Sequence, residues 1–398
     1  MNRWFWQSKG LLRVDLCGPH RATLGQDRPF DIDAQIADNF QKTSVDKLAS
    51  QRHDTNPQAP SMIEATNLKY GSVHTVDEIH FTGGIRGHRE NIGWNIGPIS
   101  SEGRLGHFGP VPDAHIRQVA NDLGITLLGI NEIVFSEQYL TSHIWHPMLS
   151  KQSNGFSAAD AWGAISSQAR IADDHYYADL ARNVSVSLRA ADIRLRNASD
   201  EYHRQLVAGL RRGAIVEKRF TNIALSDLHL AFHSLLAEMG AARDYLSAIV
   251  ARHVNAPDKI DSLARLIAWV EKGGDPHLTN HPLLSPLLAG WSKNESNRWL
   301  FDLGEYRNTF LHREPFGVNG IETGVAIHVT ETRLGPIHTL KLDIPIRRDA
   351  NDKVEALNRF VQLYGHLLAL AKQIGDNAKY LPTPLSFVAR PSRGFSYQ

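Results

Sequence analysis

The sequence predicts an α+β fold that is predominantly helical, and three observations predict it. Several C-terminal segments place apolar residues at spacings of three and four, the period of a helix face. Two alternating segments precede the last of these helices. The N-terminal third instead mixes short strand-like runs with glycine-rich turns. Together they give a C-terminal four-helix bundle with a β-hairpin before the last helix, preceded by a mixed α/β domain and a long helical segment.

Taken in order, residues 1–35 mix short apolar stretches with turn formers, and residues 36–62 are polar and end in Asn56-Pro57-Gln58-Ala59-Pro60-Ser61, a linker or surface loop. Val73, Val76, Ile79 and Phe81 read as a strand. The stretch Gly83 to Gly109 reads as turns rather than long helices. Pro112 and Asp113 open a short helix with Ile116, Val119, Ala120 and Leu123 on one face, stopped by Gly124, and a strand follows from Ile125 to Phe135. From Ser157, the run Ala158, Ala161, Trp162, Ile165, Ala169 and Ala172 starts a helical segment that ends at Arg211-Arg212-Gly213. Ser226 reads as the N-cap of a helix with Leu228, Phe232, Leu235, Met239, Ala242, Leu246 and Ile249 in four-three alternation, a narrow seam suited to other helices. A second helix is expected from Pro257-Asp258 to Gly273-Gly274, and a third from about Asn294 to His312, halted near Pro315. Strands at 324–329 and 340–346 flank a turn at Gly335-Pro336, and a last helix covers about 352–374. The domains are therefore 1–150 (mixed α/β, with no role indicated by its residues), 151–220 (helical connecting segment) and 221–398 (helical bundle with the hairpin insertion).

Composition narrows the function classes. The chain has 398 residues, 42% of them apolar and 21% charged, and a formal net charge of +1, so it can bury a core and carries no strongly basic coat. A single cysteine, Cys17, excludes a disulfide framework and any cysteine-based zinc site. No apolar run is long enough for a membrane span, and Met1-Asn2-Arg3-Trp4-Phe5-Trp6 lacks the pattern of a signal peptide. The expectation is a soluble cytoplasmic protein without membrane association.

The strongest chemical signal is Arg307-Asn308-Thr309-Phe310-Leu311-His312 in the third helix. At about 100° per residue, Trp299, Leu303, Tyr306 and Phe310 form one core stripe. Asn308 and His312 are i, i+4 neighbours on nearly the opposite side, with Phe301 projecting the same way and Arg307 flanking them. The helix thus has a second face to account for, and contact with another helix or subunit is one explanation. The chemistry suits phosphodiester cleavage: an imidazole exchanges protons with a ribose 2′-hydroxyl or the departing 5′-oxygen, and a guanidinium stabilises phosphoryl charge. One helix supplies one histidine, so separate acid and base call for a two-fold copy. The same three residue types also suit an exposed helix C-terminus, where they compensate the dipole.

The segment Glu305-Tyr306-Arg307-Asn308-Thr309-Phe310-Leu311-His312, late in a helical bundle, resembles the signature of the HEPN superfamily: arginine followed by a polar residue, often asparagine, and histidine four to six residues on. The long helix from Ser226 to about His253 is similar to the opening helix of such domains, and the resemblance spans roughly residues 220–380. It implies a metal-independent endoribonuclease without cofactor, leaving a 2′,3′-cyclic phosphate and a 5′-hydroxyl, with the site composed across a homodimer. It further implies a toxin or antiphage-defence setting, with RNA as substrate and an antitoxin or phage-derived trigger as partner. In that scheme His312 is the general acid/base, Arg307 binds the scissile phosphate, and Asn308 orients phosphate or histidine. The hairpin before the last helix and the N-terminal 220 residues depart from the minimal domain, and some members of the superfamily are non-catalytic.

Other signals are weaker. His143 and His146 have no matching carboxylate or cysteine cluster and read as surface or core histidines; His229 and His233 share a helix face but lack the glutamate of a zinc-protease motif and read as polar-face or interface residues. Gly83-Gly84-Ile85-Arg86-Gly87 is neither a dinucleotide fingerprint nor a phosphate-binding loop and reads as a turn. Arg211, Arg212, Lys218 and Arg219 read first as a solvated connection and second as an RNA-tracking patch. The competing function is a non-catalytic helical binding module for protein or nucleotide partners. A third, a metal-dependent hydrolase built on the N-terminal histidines, requires that EDTA abolish activity and that His312 be dispensable.

Overall fold

The structure, a computed structural model, describes residues 74–101, 104–135, 141–149, 157–273, 276–292, 297–312, 324–332, 335–346 and 352–383. All of them fall in one of the two units into which the chain divides, the one spanning Tyr70–Gln398. Cys17, Val73, the 36–62 segment, Asn294 and Pro315 lie outside the described residues.

The N-terminal part is a six-stranded antiparallel sheet. Its strands are β1 (His74–Phe81), β2 (Arg86–Glu90), β3 (Gly93–Ser101), β4 (Arg104–Val111), β5 (Leu127–Phe135) and β6 (Thr141–Pro147), in the order β4-β3-β2-β1-β5-β6. Most of the glycine-rich stretch is strand, and the turns among its described residues are Thr82–Gly84 and Asn91–Ile92. Gly84 is required as glycine: its φ is +79°, and a Cβ there would stand 2.8 Å from the Tyr202 carbonyl oxygen. The short helix α1 (Ile116–Asp122) follows a 3-10 turn and buries Ile116 and Ala120, and Gly124 beyond it has φ +65°.

Two helices fill 157–211, the region read as a connecting segment. α2 (Ala158–Ile171) opens with a capping box in which Ser157 and Asp160 satisfy each other's backbone amides. α3 (His175–Arg211) is capped by Asp174 and stops at Arg212 and Gly213, the latter at φ +68°. Strand β7 (Arg219–Phe220) leads to α4 (Leu225–His253). The whole expected stripe of α4, from Leu228 to Ile249, is 0% exposed. Ser226 is not its N-cap, because the helix starts one residue earlier and the Ser226 hydroxyl donates to the Ile223 carbonyl.

The second expected helix begins later than Pro257: Pro257 to Ile260 forms a turn, and α5 runs Leu263–Gly273. Short helices α6 (Pro276–Thr279) and α7 (Ser285–Trp291) precede α8 (Trp299–His312). The hairpin is β8 (Val325–Thr332) with β9 (Gly335–Lys341), and β7 pairs with β8 as a third strand. Gly335 and Pro336 stand opposite Thr332 and Glu331 inside the ladder rather than in a turn, and the expected strand 340–346 is divided between the end of β9 and a separate strand at Asp343–Pro345. Strands β10 (Asp343–Pro345) and β11 (Lys353–Glu355) pair just before α9 (Ala356–Asp376), whose cap is the Glu355 carboxylate.

The helices share one core. Trp162 of α2 donates to the Ala371 carbonyl of α9 at 3.0 Å, and Tyr364 of α9 donates to the Leu188 carbonyl of α3 at 3.0 Å. Phe232 of α4 packs edge-on against Phe360 of α9, ring centres 4.9 Å apart. Each of these large side chains is fully buried and contributes about 1.5–3 kcal/mol in apolar transfer. The sheet joins this core where the His203 ring of α3 bonds the Gly84 carbonyl at 2.9 Å. Among the described residues, no helix is long and apolar enough to cross a membrane.

Candidate functional site

The buried stripe of α8 is the expected one: Trp299, Leu303, Tyr306 and Phe310 are each at most 9% exposed. Tyr306 and Phe310 pack around Phe360, ring centres 5.6 and 5.7 Å away, and the Tyr306 hydroxyl reaches the Pro345 and Ile346 carbonyls at 3.0 and 2.9 Å. Burial, with Arg359 opposing it, raises the Tyr306 hydroxyl above its ordinary range, so it stays protonated as a donor. Asn308 is exposed on the other side, as its angular position requires.

Arginines cross the α4–α8 seam in both directions. A Cβ on Gly240 of α4 would meet Arg307 Cδ at 2.4 Å and Nε at 2.7 Å, and one on Gly304 of α8 would meet Arg243 Nη1 at 2.9 Å. Glycine and arginine are three residues apart on each helix and meet in reverse order, so two antiparallel helices each leave a notch for the other's guanidinium stem.

The two arginines differ in their partners. Arg243 donates through Nε and Nη2 to Asp244 Oδ1 at 3.1 and 2.9 Å. Nearby, Arg298 and Arg359 share Asp302, at 2.8 and 2.6 Å. No carboxylate pairs with Arg307 among the described residues, and its Nε is buried without a hydrogen-bond partner. A guanidinium held in a notch and not neutralised by a carboxylate is suited to an anionic oxygen.

His312 closes the last turn of α8; its side chain lies outside the described atoms. Across from that turn, the His229 ring of α4 stacks on Phe310, 6.3 Å between centres and 11° between planes, with His233 6.4 Å further along. Burial and then the neighbouring His233 lower the His229 imidazole, so it is neutral near pH 7. The two α4 histidines, read as interface residues, thus border the end of the α8 motif.

The basic candidates separate. Arg211 ends α3 and is exposed, as are Arg212 and Lys218 after it, whereas Arg219 sits in β7 with its guanidinium 3.1 Å from Asp343. His143 and His146 lie on β6, where His143 meets Asn131 at 3.0 Å and His146 meets Glu132 at 3.3 Å.

One titratable cluster was missed by sequence reasoning. Glu78 and His80 of β1 stand opposite His88 and Arg86 of β2, and Asp200 of α3 pairs with Arg86. His80 is fully buried, with its ring nitrogens 3.8 Å from Glu78 and from Asp200. Burial alone would raise the Glu78 carboxyl, but His80, Arg86 and His88 hold it down to about 2. Burial lowers His80, His88 and His203. The available signal was the period-two pattern Glu78-x-His80 and Arg86-x-His88, a polar strand face; it was hidden because Gly83-Gly84-Ile85-Arg86-Gly87 read as a turn. Among the described residues, no group of three or more histidine, cysteine or acidic side chains is placed to hold a metal ion.

Compared with protein-family models, curated proteins and solved structures, the chain matches none of them.

Proposed function

We propose that the protein is a metal-independent endoribonuclease of toxin or antiphage-defence type, built on a HEPN-like bundle, with its site completed across a homodimer. The observation that carries this reading is Arg307. It is seated over Gly240 in the α4–α8 seam and, among the described residues, is the one arginine of α4, α8 and α9 with no carboxylate partner. A scissile phosphate is the natural counter-charge for such a group. Asn308, exposed beside it, orients phosphate or imidazole, and His312 at the helix end transfers protons to and from the 2′- and 5′-oxygens. The reaction is attack of the ribose 2′-oxygen on phosphorus, with the 5′-oxygen leaving as a hydroxyl and a 2′,3′-cyclic phosphate remaining. The test is incubation of the purified protein with total RNA in EDTA, followed by analysis of the 3′ ends. Cyclic phosphate ends that disappear in Arg307→Ala and His312→Ala proteins support the reading; intact RNA with the wild-type protein, or undiminished cleavage by either variant, removes it.

A further inference from the structure

The long helix α3 carries a seam whose two aliphatic side chains are exposed in the described structure. Val186 is 57% exposed and Ile193 44%, and they lie one heptad apart. Arg182, Arg189 and Arg196 lie one heptad apart from each other and alternate with them in four-three steps along the same stripe. From Arg182 to Arg196 the stripe runs about 21 Å at 1.5 Å per residue. Beside it, Asn183, Ala190 and Asn197 are small and half-buried, so a neighbouring backbone can approach closely. The present partners of the first two arginines are surface carboxylates: Asp179 lies 3.3 Å from Arg182, Asp160 lies 2.6 Å from Arg189, and both arginine side chains remain 59% exposed. Such pairs are weak enough to exchange for others. Neither Arg194, which is exposed, nor Arg196, which is half-buried with Nη2 donating to Asn197 Oδ1 at 3.3 Å, pairs with a carboxylate among the described residues.

We infer that this face docks an acidic amphipathic helix of a partner protein, with apolar side chains on Val186 and Ile193 and carboxylates on the heptad arginines. Charge complementarity selects that occupant. A second copy of the chain would add the same arginines to one seam, placing like charges together. RNA would satisfy the arginines but leave the two aliphatic side chains without use, and the stripe offers no aromatic ring for a base to stack on. The inference is independent of the proposed nuclease site, since it uses no residue of α8.

The experiment uses the full-length protein and a fluorescent helical peptide of about three heptads, with leucine at one seam position and glutamate at the other. Anisotropy titration is expected to show salt-sensitive binding that weakens at least tenfold, roughly 1.4 kcal/mol, in Ile193→Ser and in the Arg182→Glu/Arg189→Glu double variant. A peptide with lysine in place of glutamate is expected to bind that double variant better than the wild type. Circular dichroism checks that each variant keeps its helices. Four results overturn the inference. Both peptides binding alike shows that charge does not select the partner. An RNA oligonucleotide that binds through Arg189, while the peptide does not bind, assigns the face to nucleic acid. A dimer converted to monomer by Val186→Glu assigns it to a second copy. Slow maleimide labelling of Ile193→Cys in a Cys17→Ser background shows that the chain itself covers it.

Discussion

The Tyr202 hydroxyl of α3 donates to the Glu355 carboxylate at 2.6 Å, and that same carboxylate caps α9 by accepting from the amides of Leu357 and Asn358 at 3.2 and 2.7 Å. Burial raises both groups, the tyrosine further by the adjacent carboxylate, so one buried contact fixes the start of the last helix against the C-terminal third of the longest. Tyr202→Phe removes the donor and leaves a buried acceptor short of a partner. It is expected to cost ~1–3 kcal/mol, and Glu355→Ala more, because the cap is lost as well. Urea unfolding followed by circular dichroism measures both; equal stability of Tyr202→Phe and wild type would contradict the account.

The notch at Gly240 makes a sharper functional test. In Gly240→Ala the added Cβ falls 2.4 Å from Arg307 Cδ, so the guanidinium stem must leave its seat. RNA cleavage is expected to fall by about tenfold or more while the protein stays folded, since alanine favours a helix interior over glycine by about 0.5–1 kcal/mol. Gly304→Ala meets only the far end of Arg243, at 2.9 Å, and is expected to cost less activity. Side-by-side cleavage rates and melting curves check the order.

Direct removal of the acting groups has a larger expected effect. Arg307→Ala and His312→Ala are expected to lower cleavage by about 10²–10⁴-fold, with EDTA leaving the wild-type rate unchanged. Expression of the wild-type chain in cells is expected to slow growth, and either substitution to relieve it. Growth curves and in vitro rates that disagree in the ranking of the variants would separate toxicity from RNA cleavage.

The Glu78–His80–Arg86–Asp200 cluster predicts acid sensitivity. His80, His88 and His203 have folded-state values below the ordinary 6.5, so below that pH the unfolded chain binds more protons than the folded one. Stability therefore falls as pH drops through 6.5. A second loss follows between 4.5 and about 2, where Glu78 is protonated first in the unfolded chain. Urea midpoints at pH 7.5, 6.5 and 5.5 are expected to decline, and His80→Gln is expected to flatten that decline. A pH-independent midpoint in the wild type would show that these histidines do not couple to folding.

Much of the helical architecture was legible because periodicity is a local property. The α4 stripe, the α8 core stripe, the short helix stopped by Gly124 and the hairpin before the last helix all follow from which residues are apolar at which spacing. Helix starts were less legible. Ser226 has the chemistry of a cap, but the chain turned helical before it, and Pro257 opened a turn, closed by the Ile260 amide on the Pro257 carbonyl, that ends before the helix starts at Leu263.

By itself, then, the sequence determined an α+β chain with amphipathic helices, and it placed Arg307, Asn308 and His312 within one turn and a half of a single helix. Tertiary structure decided which of its charged groups are neutralised and which are not. Arg243 and Arg307 are the same residue type, each three residues after a glycine, and the sequence separates them only by the residue that follows, Asp244 in one case and Asn308 in the other. The packing of α4 against α8 seats both stems over facing glycines, with Arg243 on its own neighbour Asp244 and Arg307 without a carboxylate among the described residues. The period-two polar face of β1 and β2 likewise became a buried charge cluster only when α3 closed over it with Asp200. Electrostatic environment depends on distances between residues far apart in the chain, and those distances are set by packing rather than by spacing.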